Sequence, residues 1–111
     1  MSELKFEYGI LPNHCTEACY CFLPPNPVPI GFIWYRRLQR ESLVDVLYVW
    51  VHERKRRKRV ASKMLAELWG INPGSTLYTE VANRQSEPWL RYLGFVKTQN
   101  GWFLRPGNWR K

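Results

Sequence analysis

Residues 43–51, LVDVLYVWV, run almost without a polar interruption and are rich in β-branched side chains. A strand this long and this apolar is expected at the centre of a sheet, covered on both faces. The next segment narrows the possibilities further. Six consecutive basic residues, Arg54 to Arg59, lead into VASKMLAELWG, where Val60, Met64 and Leu68 fall at i, i+4 and i+8, with Ala61, Leu65 and Trp69 beside them. That spacing is the apolar stripe of an amphipathic helix of about three turns. The basic block therefore sits between a buried strand and a helix N-terminus. There the first N–H groups lack intrahelical partners and the helix dipole adds partial positive charge. Cations at such a position are unfavourable unless an anion is bound, and a multiply charged group such as a pyrophosphate suits it. A solvated charge run and a targeting signal are the competing readings, the second disfavoured because the block is pinned between Val51 and Val60.

The remaining segments have clear periods. LKFEYGI (4–10) alternates, ACYCFL (18–23) and IGFIWYRRL (30–38) read as a hairpin, and PPNPVP (24–29) is its stiff connection. Gly70 is placed to stop the helix, with a turn at Pro73-Gly74. STLYTEVAN (75–83) predicts a fifth strand. SEPWLRYLG (86–94) predicts a short helix, with Ser86 as cap, Pro88 in the first turn and Gly94 as stop. Residues 95–106 form a closing hairpin about Asn100-Gly101. The order is β-β-β-β-α-β-α-β-β, which predicts a single α/β domain over residues 1–111, a mixed sheet with helices packed on it.

Charge and cysteine usage bound the function. The net charge is +8 over 111 residues. Six of those charges lie in 54–59, which leaves +2 for the rest of the chain. One intense spot on a near-neutral body favours a local anion over an extended nucleic acid, so a nucleic-acid partner is disfavoured. No apolar run approaches the ~18 residues that a membrane span needs, and MSELKFEYGI is unlike a signal peptide. The three cysteines all lie within 15–21, and without a secretory signal they predict reduced thiols and a cytoplasmic setting. HCTEACYC (14–21) lacks the second ligand pair of a zinc site, so Cys19 and Cys21 read as small apolar residues of a strand and no metal is expected.

With these residues in view, VWVHERKRRKRVASKML resembles the cofactor-binding segment of the GNAT superfamily of N-acetyltransferases, with Arg56-x-x-Arg59-x-Ala61 standing where that family has Gln/Arg-x-x-Gly-x-Gly/Ala. ANRQSEPWLRYLGFV resembles the family's later Asn…Gly-Phe stretch through Asn83, Gly94 and Phe95, and IGFIWY its third strand. The resemblance implies acetyl-CoA as co-substrate and transfer of its acetyl group to an amine by direct attack, a protein lysine or N-terminus among the acceptors. It implies that the backbone around Arg56, Arg57, Lys58, Arg59, Val60 and Ala61 holds the pyrophosphate. It implies that the end of the fourth strand, Val49 to Val51, binds the pantetheine arm, and that Asn83 contacts the cofactor from the far side. Asp45 stands where some members carry a basic carboxylate, with Glu80 the competing base; the plainer reading of Asp45 is a partner for a neighbouring arginine. Two positions depart from the pattern: Arg59 replaces the motif's glycine, and Leu90 replaces the tyrosine that serves as thiolate acid. The two helices that usually wall the acceptor pocket have no room in residues 11–17. That side is then open, or completed by a second copy of the chain, and it suits a protein or peptide amine, with exposed aromatics expected around Trp102 and Trp109. A non-catalytic module binding CoA, nucleic acid or a protein through residues 54–59 is the competing reading.

Overall fold

The computed structural model describes residues 3–54, 59–80 and 86–108. Its strands are β1 (Lys5–Ile10), β2 (Glu17–Phe22), β3 (Gly31–Leu38) and β4 (Leu43–Val51). Helix α1 (Val60–Ile71), strand β5 (Thr76–Thr79) and helix α2 (Glu87–Leu93) come next, and β6 (Val96–Thr98) and β7 (Gly101–Leu104) end the described chain. The element order is the one expected from the sequence. The strands form one mixed sheet in the order β1-β2-β3-β4-β5-β7-β6, antiparallel throughout except where β4 and β5 run parallel across the α1 crossover.

Both helices lie on the same face of this sheet. A Cβ on Gly31 would stand 3.0 Å from Cε of Met64, which puts α1 over Gly31 and, by strand alternation, over Ile33 and Tyr35. The cross-strand partners on that face are Cys19, Cys21, Val46, Val49 and Val51. Helix α2 lies on the same side, where the indole N–H of Trp89 donates to Oγ of Ser62 at 2.8 Å. Between sheet and helices lies the core, built from Ile33, Tyr35, Met64, Leu65, Leu68, Leu77, Leu93 and Leu104, all nearly inaccessible to water. At ~1.5–3 kcal/mol for each large apolar side chain, this layer is the main source of stability.

The other face differs from expectation. LVDVLYVWV is the central strand, but the two described helices cover only one of its faces. Tyr48 and Trp50 point to the opposite side, beside Phe32 and Trp34 of β3, and Tyr48 is 49% exposed. The apolar run is continuous because aliphatic residues meet the helices while aromatic residues meet one another. Trp102 is a second correction. It is buried against α2, with the guanidinium of Arg91 5.0 Å from its ring, so it adds nothing to an exposed aromatic surface; Trp109 lies outside the described residues.

Turn chemistry explains most boundaries. Gly94 ends α2 in the left-handed region at φ 109°, and Pro88 stands in its first turn, although the Ser86 side chain makes no capping bond. Helix α1 runs through Gly70 and stops two residues later, where Nδ2 of Asn72 donates to the Leu68 carbonyl at 2.9 Å and Pro73 comes next. Gly101 opens β7 at φ 124°, with space for a Cβ closed by Tyr78 Cε1 at 2.7 Å and the Thr79 carbonyl at 2.9 Å.

The two glycines predict opposite outcomes. Gly70→Ala, in a helix with nothing near the added Cβ, should stabilise the fold by ~0.5–1 kcal/mol, while Gly101→Ala should destabilise it by more than ~1 kcal/mol. Urea denaturation of the two variants checks this. The thiols give a further prediction. Burial pushes Cys19 up to about 12 and Cys21 up to about 11, whereas Cys15 is exposed. At about pH 8 a thiol reagent should titrate Cys15 alone until the protein unfolds. The buried thiols are neutral in the fold, so their contribution should be intact below about pH 9 and lost as pH rises through about 11 and 12.

Candidate active site

Among the described residues the sheet opens between β4 and β5. β4 and β5 pair through three rungs, Leu43↔Thr76, Val44↔Leu77 and Asp45↔Tyr78. β5 ends one residue later, at Thr79, while β4 continues to Val51. Immediately past the last shared rung β4 carries an extra residue: Tyr35 opposes Val46 and Trp34 opposes Tyr48, which leaves Leu47 as a bulge. A bulge bends its strand and increases its twist, and here it turns β4 away from β5. From Val46 to Val49, β4's far edge borders an opening, with no strand beside it among the described residues.

That opening is a cleft of about 460 Å³. Val46, Leu47, Tyr48 and Val49 form one wall, Thr79 the end of β5, Leu65 of α1 the floor, and Ser86, Trp89, Leu90 and Phe95 the wall beyond. The lining is mainly apolar, with hydroxyls from Tyr48, Thr79 and Ser86. Among the described residues none of the lining side chains is a carboxylate or a histidine. The hydrogen bond from Trp89 to Ser62 ties the α2 wall of the cleft to the first turn of α1.

The structure places the residues singled out from the sequence in and around this opening. Val49 lines the cleft; Val51 does not, being buried opposite Gly31, and the opening starts earlier in the strand, at Val46. Arg59 is the N-cap of α1, exposed, with its carbonyl accepting from the Lys63 N–H at 3.0 Å. Val60 is buried and Ala61 half-buried in the first turn, and that turn holds no acidic residue to offset the cations. Arg56, Arg57, Lys58 and Asn83 lie outside the described residues. Arg59 holds φ 59°, ψ 26°. The departure from the motif's glycine is thus a side chain placed in the left-handed conformation that glycine adopts freely.

Asp45 stands at the fork, on the face away from the helices. It is 8% exposed, and its Oδ2 accepts from Nη2 of Arg36 at 2.9 Å. The structure therefore carries the pairing with a neighbouring arginine. Glu80 comes just after the end of β5 and is exposed. Leu90, at the motif's tyrosine position, is buried and lines the cleft, so no proton comes from it; Tyr92 is 56% exposed and outside the lining. Sequence reasoning missed Tyr78, the β5 partner of Asp45 in the last rung. Partial desolvation, then the charges of Glu80 and Asp45, hold its phenol above the ordinary value, and its hydroxyl donates to the Asn100 carbonyl at 2.6 Å. It also missed Trp89 and Leu47. The short helical pattern of residues 86–94 signalled Trp89's element but not its contact, and Leu47 leaves no signal in the sequence.

β4 and β5 thus fork beside a bulge, and the apolar cleft between them is lined in part by Leu65 of the helix that Arg59 caps. The family model for the Acetyltransferase (GNAT) family matches residues 2–95. The chain belongs to the GNAT family. Solved structures agree on the fold. The E. coli putative N-acetyl transferase YhhK, bound to coenzyme A, superposes with TM-score 0.74 at 15% identity, covering 93% of this chain and 98% of that one. A putative GNAT acetyltransferase from Desulfovibrio desulfuricans gives 0.71 at 13% identity, covering 93% and 99%. Arabidopsis thaliana NAA60, in complex with a bisubstrate analogue, gives 0.67 at 13%, covering 85% and 77%. A search of curated proteins finds no matching sequence.

The strained cap predicts that Arg59→Gly raises stability by ~1 kcal/mol, a rise of a few degrees in Tm, because an L side chain in the left-handed region costs roughly that much. Thermal unfolding without ligand measures it; an unchanged or lower Tm would mean that the guanidinium contributes more than the backbone loses.

Proposed function

We propose that this GNAT protein is an acetyl-CoA-dependent N-acetyltransferase. The observation that carries the reading is the fork: a cleft of about 460 Å³ beside the Leu47 bulge, walled on one side by the β4 edge beyond its last rung with β5 and lined by Leu65 of a helix whose N-cap is cationic. A slender chain with amide groups and a diphosphate at one end fits both halves. The edge of Val46 to Val49 offers strand-like hydrogen bonds to the pantetheine amides. The first-turn amides of α1, with Arg59 and the adjoining Arg56, Arg57 and Lys58, hold the diphosphate. Asn83 contacts the cofactor from the β5 side. YhhK, of the same fold, is a coenzyme A complex, which supports the fit.

Acetyl-CoA supplies an activated acyl group with a thiolate leaving group. The protein positions and excludes water. Val46, Leu65, Leu90 and Phe95 give the cleft a low polarity in which hydrogen bonds from β4 amides to a developing oxyanion gain strength. The amine must be neutral to attack. Asp45 at the fork and Glu80 at the end of β5 are the carboxylates that take its proton, through water because neither lines the cleft. The acceptor is an amine, a protein lysine or N-terminus among the classes considered.

Calorimetry with acetyl-CoA should give saturable binding. Arg56→Gln and Arg59→Gln should each weaken it by about tenfold, the value of one charge-assisted hydrogen bond. Thiol release over a panel of amines and peptides measures transfer, and Asp45→Asn or Glu80→Gln should lower kcat by about 10²-fold or more at whichever is the base. No binding at millimolar acetyl-CoA would refute the reading. A CoA-binding module without turnover is the second reading, favoured by Leu90 at the acid position; it predicts thermal stabilisation by acetyl-CoA with no thiol released.

A further inference from the structure

We infer that the aromatic face of the sheet is a self-association surface, and that a second copy of this chain seated on it completes the acceptor side of the cleft. The second clause rests on the acetyl-transfer reading; the first does not. Strand alternation puts Tyr20, Phe32, Trp34, Tyr48 and Trp50 on the face opposite the helices, with Tyr78 and Phe103 continuing it across the fork. The rings touch in a chain: Tyr20–Phe32 at 6.1 Å, Phe32–Trp34 at 5.3 Å, Phe32–Trp50 at 5.4 Å and Trp34–Tyr48 at 5.6 Å between centroids. Each is shielded sideways by its neighbours, yet neither helix covers them. A contiguous apolar surface of this kind marks an interaction site on a soluble domain.

Size and charge select the occupant. The five strands that carry these rings, at ~4.8 Å spacing and about five to six residues at ~3.3 Å, project to roughly 400 Å², and the ring-corrugated accessible area is larger. That is about half of the ~800 Å² per partner of a standard interface, the size of a weak homodimer, and it suits two sheets packed face to face. The formal charges on the face nearly cancel, with exposed Glu80 beside Tyr78 the one left over among those named. Lys5 and Glu7 are cross-strand neighbours of Phe22 and Tyr20, and Arg36 is paired with Asp45. A nearly neutral aromatic sheet does not repel its own copy and has no attraction for a polyanion. In the sequence the basic block follows the end of β4. Tyr48 belongs both to this face and to the cleft lining. A partner docked here therefore covers the cleft at Tyr48, from the side opposite the helices.

Sedimentation equilibrium from about 1 to 100 µM tests the surface. The expected mass is twice 13.3 kDa. The dimer should tighten as salt rises from about 0.05 to 0.5 M, because two chains of charge +8 repel and salt screens the repulsion. Tyr20→Lys and Trp34→Lys, checked for native circular dichroism, should each weaken dimerisation by at least about tenfold and lower transfer while leaving acetyl-CoA affinity unchanged. Wild-type protein that stays monomeric at about 100 µM overturns the inference, as does a dimer loosened by salt or indifferent to both substitutions. The mass is read without acetyl-CoA. A dimer formed through this face by a protein that binds no acetyl-CoA would sink the enzymatic reading and leave the interface standing.

Discussion

The site depends on two parallel strands that stop pairing after three rungs. Had β4 and β5 remained zipped, the sheet would be closed and the helix start beside it would hold an anion with nothing attached. The fork exists because β5 is only four residues long and because β4 spends one residue, Leu47, on a bulge at the step where the shared register ends. The bulge frees a stretch of backbone from one partner while β3 keeps hold of the other edge, so the free edge remains ordered. The hydrogen-bonding requirement of exposed strand backbone then becomes a binding feature.

Around that fork the fold divides its labour between two faces. The helix side carries the aliphatic core, both helices and the cationic cap, and the bond from Trp89 to Ser62 holds the walls of the cleft in register with α1. The opposite side carries aromatic rings, the Arg36–Asp45 pair and the mouth of the cleft at Tyr48. On the proposed reading the cofactor belongs to the first face and the acceptor to the second.

How much of this the sequence reveals depends on whether the signal is local. The limits of β4 and the start of α1 at Val60 are legible because hydrophobic period and a charge boundary mark them directly. The end of α1 is less so: a lone glycine at 70 costs a helix only ~1 kcal/mol, and the stop comes from the Asn72 side chain and Pro73. An unbroken apolar run cannot distinguish two buried faces from one core face and one aromatic face, so the exposure of Tyr48 had no precursor in the pattern. Trp102 misled for the same reason, since hairpin alternation assigns it a face but not what covers that face. Arg36 finds Asp45 only through the β3–β4 register, and a bulge residue such as Leu47 has no compositional signature. The site's element order was thus readable, while its geometry waited on pairings between distant segments.

The central claim is that the β4 edge and the α1 cap grip one ligand together. Amide hydrogen exchange read residue by residue, with and without saturating acetyl-CoA, tests it most directly. The account predicts slowed exchange in two separated stretches at once, Val46 to Val49 and Arg59 to Ser62. Protection confined to the helix start, or spread elsewhere while the β4 edge exchanges as before, would contradict it.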